Sequence, residues 1–119
     1  MNRRILIVED EAIPALELRM RLEKWGFDVV ATVGGGADAI AATRELSPDL
    51  VIMDVILADE VRGTDAAELI QSEFGTPILF LTAIDIAEPA APYGPAPRET
   101  LTKPYDPDLL EDALSRLLR

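Results

Sequence analysis

"DLVIMDVILADEVRG", Asp49 to Gly63, decides the fold. Leu50, Val51, Ile52 and Met53 make an apolar run one strand long, and the run delivers a carboxylate, Asp54, at its end. A short, continuous apolar run behind a Ser-Pro break reads as a strand covered on both faces. More apolar residues follow the acid, namely Val55, Ile56 and Leu57, so a plain solvent turn does not explain it.

Working outward, the same strand type recurs. "RILIV" (4–8) runs into Glu9, Asp10 and Glu11, and "TPILFLTA" (76–83) ends in Thr82-Ala83. "FDVVATV" (27–33) and the weaker "RETLT" (98–102) complete five strands, the last leading into Lys103-Pro104-Tyr105. Helical spacing lies between them. Residues 11–25 place Ala15, Leu18, Leu22 and Trp25 on one face, with Pro14 in the first turn and Gly26 as the stop. "GGG" (34–36) is a turn, and "ADAIAATREL" (37–46) is a short helix. Residues 64–74 form another, with Thr64 as the expected cap and Gly75 as the stop. Residues 106–119 form the last, with Asp106 as N-cap, Pro107 in the first position, and Leu110, Ala113, Leu114 and Leu117 as the apolar stripe. Residues 84–97 hold four prolines in their last nine positions and cannot form a long regular helix. Strand–helix alternation of this kind folds as an α/β domain, a parallel sheet with helices on both faces.

Composition narrows the chemistry. The 119 residues suit one domain, and they contain neither cysteine nor histidine. Thiolate metal sites, disulfides and Ser-His or Cys-His catalysis are excluded within the chain. No apolar run approaches the roughly 20 residues of a membrane span, and "MNRRILIVEDE" is too short for a signal peptide. The expectation is a cytoplasmic protein. A net charge of −11 speaks against direct nucleic-acid binding and for a hard cation or a basic protein surface.

Ligands of open parallel sheets bind at the carboxyl ends of the strands. Glu9, Asp10, Asp54, Thr82 and Lys103 all stand there. Carboxylates gathered so closely repel one another, a hard cation relieves that repulsion, and an octahedron of oxygens suits Mg2+. Taken singly, each residue has an ordinary structural explanation as a cap, a strand residue or a surface lysine. Their convergence on one edge is what asks for a function.

"ILIVEDE" (5–11), "DLVIMDVIL" (49–57), "PILFLTA" (77–83) and "LTKPY" (101–105) resemble the four signatures of the response-regulator receiver domain of two-component signalling. The resemblance spans essentially the whole chain. It implies a flavodoxin-like (CheY-like) doubly wound five-stranded sheet of order 2-1-3-4-5, here with the fourth helix short or absent. It implies Asp54 as phosphoacceptor, Asp10 as direct Mg2+ ligand, Glu9 as ligand through water, and the Ile56 backbone carbonyl as a further metal oxygen. Thr82 would be the hydroxyl that follows phosphorylation, and Lys103 the cation paired with the acceptor. The Lys103-Pro104 bond is expected to be cis. The implied donor is the phosphohistidine of a sensor histidine kinase, with a phosphotransfer protein or a downstream target as further partner. The expected form is a monomer or weak dimer without an output domain, acting as relay or phosphate sink rather than as a metabolic enzyme.

The chain departs from the family pattern in three places. Thr100 stands where receivers usually carry an aromatic ring. The fourth-helix region is "AEPAAPYGPAP". The loop after Asp54 has Ala58 where proline is common, is one residue longer before Gly63, and carries Asp59 and Glu60. Three competing readings remain. An aspartyl-phosphate hydrolase wants a second acid where Ile56 stands. A flavodoxin wants a phosphate loop where the acidic "EDEAIP" stands. A pseudo-receiver that is not phosphorylated would keep the shape alone. "VGGGADA" lacks the spacing of a nucleotide loop.

Overall fold

A computed structural model describes residues 2–54, 62–82 and 98–118, with Thr82 described through its backbone only. The elements run β1 (Arg4–Val8), α1 (Ala12–Lys24), β2 (Asp28–Val33), α2 (Gly36–Leu46), β3 (Leu50–Met53), α3 (Gly63–Phe74), β4 (Ile78–Thr82), β5 (Arg98–Thr102) and α4 (Pro107–Leu117). The strands form one parallel sheet of order β2-β1-β3-β4-β5. This is the expected flavodoxin-like order. The helix that the resemblance places between β4 and β5 falls in 83–97, outside the described residues.

Strand alternation sorts the core into two layers. Ile5, Ile7, Leu50, Ile52, Leu79 and Leu81 face α1 and α4, meeting Leu18 and Leu22 of the one and Leu110, Ala113, Leu114 and Leu117 of the other. Leu6, Val8, Val51, Met53, Ile78 and Phe80 face α2 and α3, meeting Ala39, Ala66, Ala67 and Ile70. The central strands are covered on both sides, which is why their sequences are apolar at every position rather than at alternate ones. The α2/α3 layer buries three alanines, Ala39, Ala66 and Ala67, alongside Ile70.

Helix ends follow the local chemistry with two exceptions. Gly26 (φ 92°) and Gly75 (φ 69°) adopt the left-handed conformation that ends α1 and α3. Asp106 caps α4 by accepting the Asp108 amide at 2.8 Å, with Pro107 in the first turn. Thr64 is not the cap of α3. Arg62 takes that place without a side-chain hydrogen bond, because the helix begins one residue early, at Gly63. Likewise α2 begins at Gly36, drawing the third glycine of the triplet into its first turn. Trp25, the C-cap of α1, packs partly buried against the same layer as Leu18 and Leu22, on the face the spacing assigns it.

Candidate functional site

The site is built by register. β1 and β3 run side by side with Val8 opposite Met53, so the next residues, Glu9 and Asp54, emerge together at the carboxyl edge. Their backbones stay in the ladder: Asp54 N–H donates to Val8 carbonyl at 3.0 Å, and Glu9 N–H donates to Val33 carbonyl at 2.8 Å. On the other side of the sheet, β4 and β5 end with Thr82 opposite Thr102, and Lys103 is the next residue out. Continued alternation puts Glu9, Asp54 and Lys103 on the side of Ile7, Ile52 and Leu101, beneath α1. All three line a cavity of about 280 Å³ there, between α1 and the β5–α4 turn.

Lys103 joins the strands across this edge. Its Nζ donates to Glu9 Oε1 at 3.0 Å and to Asp54 Oδ2 at 3.3 Å. The sequence expectation paired Lys103 with Asp54, and the structure adds Glu9 as the nearer partner. Nothing in the sequence signalled that second contact, because it depends on the relative depth of two side chains rather than on spacing. Asp10, more exposed, completes the group: one carboxylate oxygen each from Glu9, Asp10 and Asp54 lie within 4.8 Å of one another. The Lys103-Pro104 bond is cis, as expected. Thr82 closes β4 at the same edge; Ile56 lies outside the described residues.

Among the described residues, two of these three carboxylates, Glu9 and Asp54, pair with the Lys103 ammonium. The Glu9 carboxyl is raised to about 7, chiefly by burial and also by neighbouring Asp54, against the opposing pull of Lys103. Burial would lower the Lys103 ammonium, but the Glu9 hydrogen bond and the charges of Asp54 and Glu9 outweigh it and hold it above its ordinary value. The second Glu9 oxygen, Oε2, is buried with no hydrogen-bond partner among the described residues. An orphaned buried carboxylate oxygen costs free energy unless something binds it.

The residues present fit a hard cation. The donors are all oxygens, their charge exceeds what Lys103 neutralises, and their 4.8 Å span is near the separation of about 4.2 Å between opposite ligands of octahedral Mg2+. Glu9, Asp10 and Asp54 could hold the ion.

A doubly wound parallel α/β domain with a carboxylate cluster and a strand-end lysine at its carboxyl edge is therefore the class in hand. More specifically, the chain belongs to the response regulator receiver domain family, whose model matches residues 5–115. The DNA-binding response regulator MtrA of Mycobacterium tuberculosis (strain H37Rv) is 36% identical over 121 residues, covering 100% of this chain and 52% of MtrA. The response regulator PhyR from Brucella abortus superposes with a TM-score of 0.83 at 29% identity, covering 99% of this chain and 48% of that one. The signal receiver domain of a modulated diguanylate cyclase from Desulfovibrio desulfuricans G20 gives a TM-score of 0.85 at 27% identity, covering 99% and 94%. The chain spans about half the length of the curated relatives it matches. Among the described residues no helix is long and apolar enough to cross a membrane.

Proposed function

We propose that this chain accepts a phosphoryl group on Asp54 from the phosphohistidine of a sensor histidine kinase, and that the acyl phosphate changes its protein–protein contacts. The observation that carries the reading is the Lys103 ammonium bridging Glu9 and Asp54 while a buried Glu9 oxygen has no hydrogen-bond partner among the described residues. In the transfer, an Asp54 oxygen attacks phosphorus, the P–N bond to the donor imidazole breaks, and a P–O bond forms. The imidazole keeps the electron pair and takes up a proton.

Phosphoryl transfer asks the protein mainly for placement and charge neutralisation. The Asp54 amide donates to the Val8 carbonyl of β1, which holds the acceptor's backbone at the edge. Lys103, already 3.3 Å from Asp54 Oδ2, offers a compact positive charge to an oxygen of the arriving group. Glu9 keeps that ammonium at the edge before the donor arrives. Bound Mg2+, held by Asp54, Asp10, the Ile56 carbonyl and, through water, Glu9, would neutralise charge on the phosphoryl oxygens. Thr82 would donate its hydroxyl to the phosphoryl group. The phosphorylated surface then acts as relay or phosphate sink toward a phosphotransfer protein or target.

The test is transfer from a ³²P-labelled histidine kinase in the presence of Mg2+, comparing wild type with Asp54→Asn. Label on the wild type alone supports the reading. Label on neither, with a panel of kinases shown to be active, favours a module that is not phosphorylated. Label persisting on Asp54→Asn removes Asp54 as the acceptor.

A further inference from the structure

Lys103 is the first residue beyond the sheet, since β5 ends at Thr102, and α4 begins only at Pro107. The four residues between, Lys103 to Asp106, carry the root of the lysine side chain from the strand to the helix. Pro104 and Asp106 of this turn are exposed. Tyr105 is different: its ring is half-buried and packs against the α1/α4 core layer. It lines the cavity together with Lys103 and Pro104, facing Pro14, Glu17, Leu18 and Arg21 of α1. The cavity gives the long, flexible lysine stem about 280 Å³ in which to relocate. Two carboxylates hold the head of that stem, and the ring is the one side chain among the described residues of the turn that anchors its root in the core.

We infer that Tyr105 is a positioning residue for the phosphoacceptor site: its ring wedges the Lys103–Asp106 turn against α1 and so keeps the Lys103 ammonium between Glu9 and Asp54. The phenol contributes through its ring, whose half-buried packing against the core layer ties the turn to the fold. Burial raises the phenol above its ordinary pKa, while the charges of Arg21 and Lys103 lower it and that of Glu17 raises it. These three charged groups, from α1 and from the turn, are the ones the phenol faces.

The inference rests on the reading of Asp54 as phosphoacceptor, and its test separates the two. Tyr105→Phe and Tyr105→Leu are compared with wild type in two measurements. The first is the hydrogen-exchange-protected ammonium resonance of Lys103, observed by nitrogen-15 NMR in the unphosphorylated protein. The second is the rate of phosphorylation by a small acyl phosphate donor with Mg2+. Tyr105→Phe is expected to keep both. Tyr105→Leu is expected to lose the protected resonance and to slow phosphorylation by about tenfold or more, as a small displacement of a charge-stabilising group does. Should the leucine variant not fold, Tyr105→Met, which keeps apolar bulk without a planar ring, carries the same comparison. Retention of the resonance in a folded variant lacking the ring overturns the inference, as does its loss in Tyr105→Phe. If the wild type takes no phosphate, the reading of Asp54 fails while the ammonium comparison still decides the role of Tyr105.

Discussion

The two ends of the sheet handle charge in opposite ways. At the amino edge, Arg4 N–H donates to Asp49 Oδ2 at 2.8 Å, and its guanidinium donates to the carbonyls of Leu46 and Ser47. One cation and one anion are closed off by partners that tie the α2–β3 connection to β1. At the carboxyl edge, Glu9 and Asp54 share the Lys103 ammonium with Asp10 clustered beside them, and a buried Glu9 oxygen stays unpartnered among the described residues. The first arrangement holds the fold together. The second is left short of positive charge, which is the condition for taking up a cation and an oxyanion from outside. The same residue types thus separate into structural and chemical roles by how completely they are matched.

Substitutions at the two edges should break this comparison cleanly. Asp54→Asn should abolish phosphorylation, while Asp49→Asn should leave it intact, both read by phosphotransfer from a labelled kinase. Next in size, Lys103→Met should slow phosphorylation by about 100-fold, the usual cost of removing one preorganised charge-stabilising group. Single-turnover kinetics checks this.

The pH response should sharpen the contrast further. The Glu9 carboxyl is raised to about 7 in the folded protein, from an ordinary 4.5. The folded state therefore holds this proton more tightly than the unfolded chain does. Its contribution to stability is fully present below about 4.5 and is lost as pH rises through about 7. The expected loss is on the order of 1–3 kcal/mol for the metal-free protein. It should be absent in Glu9→Gln and offset by Mg2+, whose binding should tighten as pH rises through the same range. Urea denaturation between pH 4 and 8, with and without Mg2+, checks this.

The smallest effects belong to purely structural groups. Asp49→Ala should cost about 1–2 kcal/mol by leaving the Arg4 amide without its acceptor. Asp106→Ala should cost about 1 kcal/mol through loss of the α4 cap. Neither should change the phosphorylation rate once the protein is folded.

Most of the architecture was legible because β1, β3 and β4 are apolar at consecutive positions, and only burial on both faces calls for that. The last helix was read nearly to the residue, since Asp106-Pro107 combines a cap with a first-turn proline. The start of α3 was misread because Thr64 is a good capping residue type, yet Arg62 stands at the cap and Gly63 already turns with the helix. Glu9, Asp10, Asp54 and Lys103 were found because chain order carries strand-end residues to one edge. What stayed hidden was depth: that Lys103 sits nearer Glu9 than Asp54, that one Glu9 oxygen is orphaned, and that Tyr105 walls a cavity beneath α1. These depend on side-chain conformations, which the spacing of the motifs does not fix.

The most direct measurement is to locate the phosphate chemically. The protein is phosphorylated by a small acyl phosphate donor with Mg2+, the product is reduced with borohydride, and the modified residue is mapped by mass spectrometry. The expected result is conversion at Asp54 alone, abolished by chelating the metal. Conversion at Glu9 or Asp10, or none at Asp54 with a donor that phosphorylates a control receiver, would contradict the account.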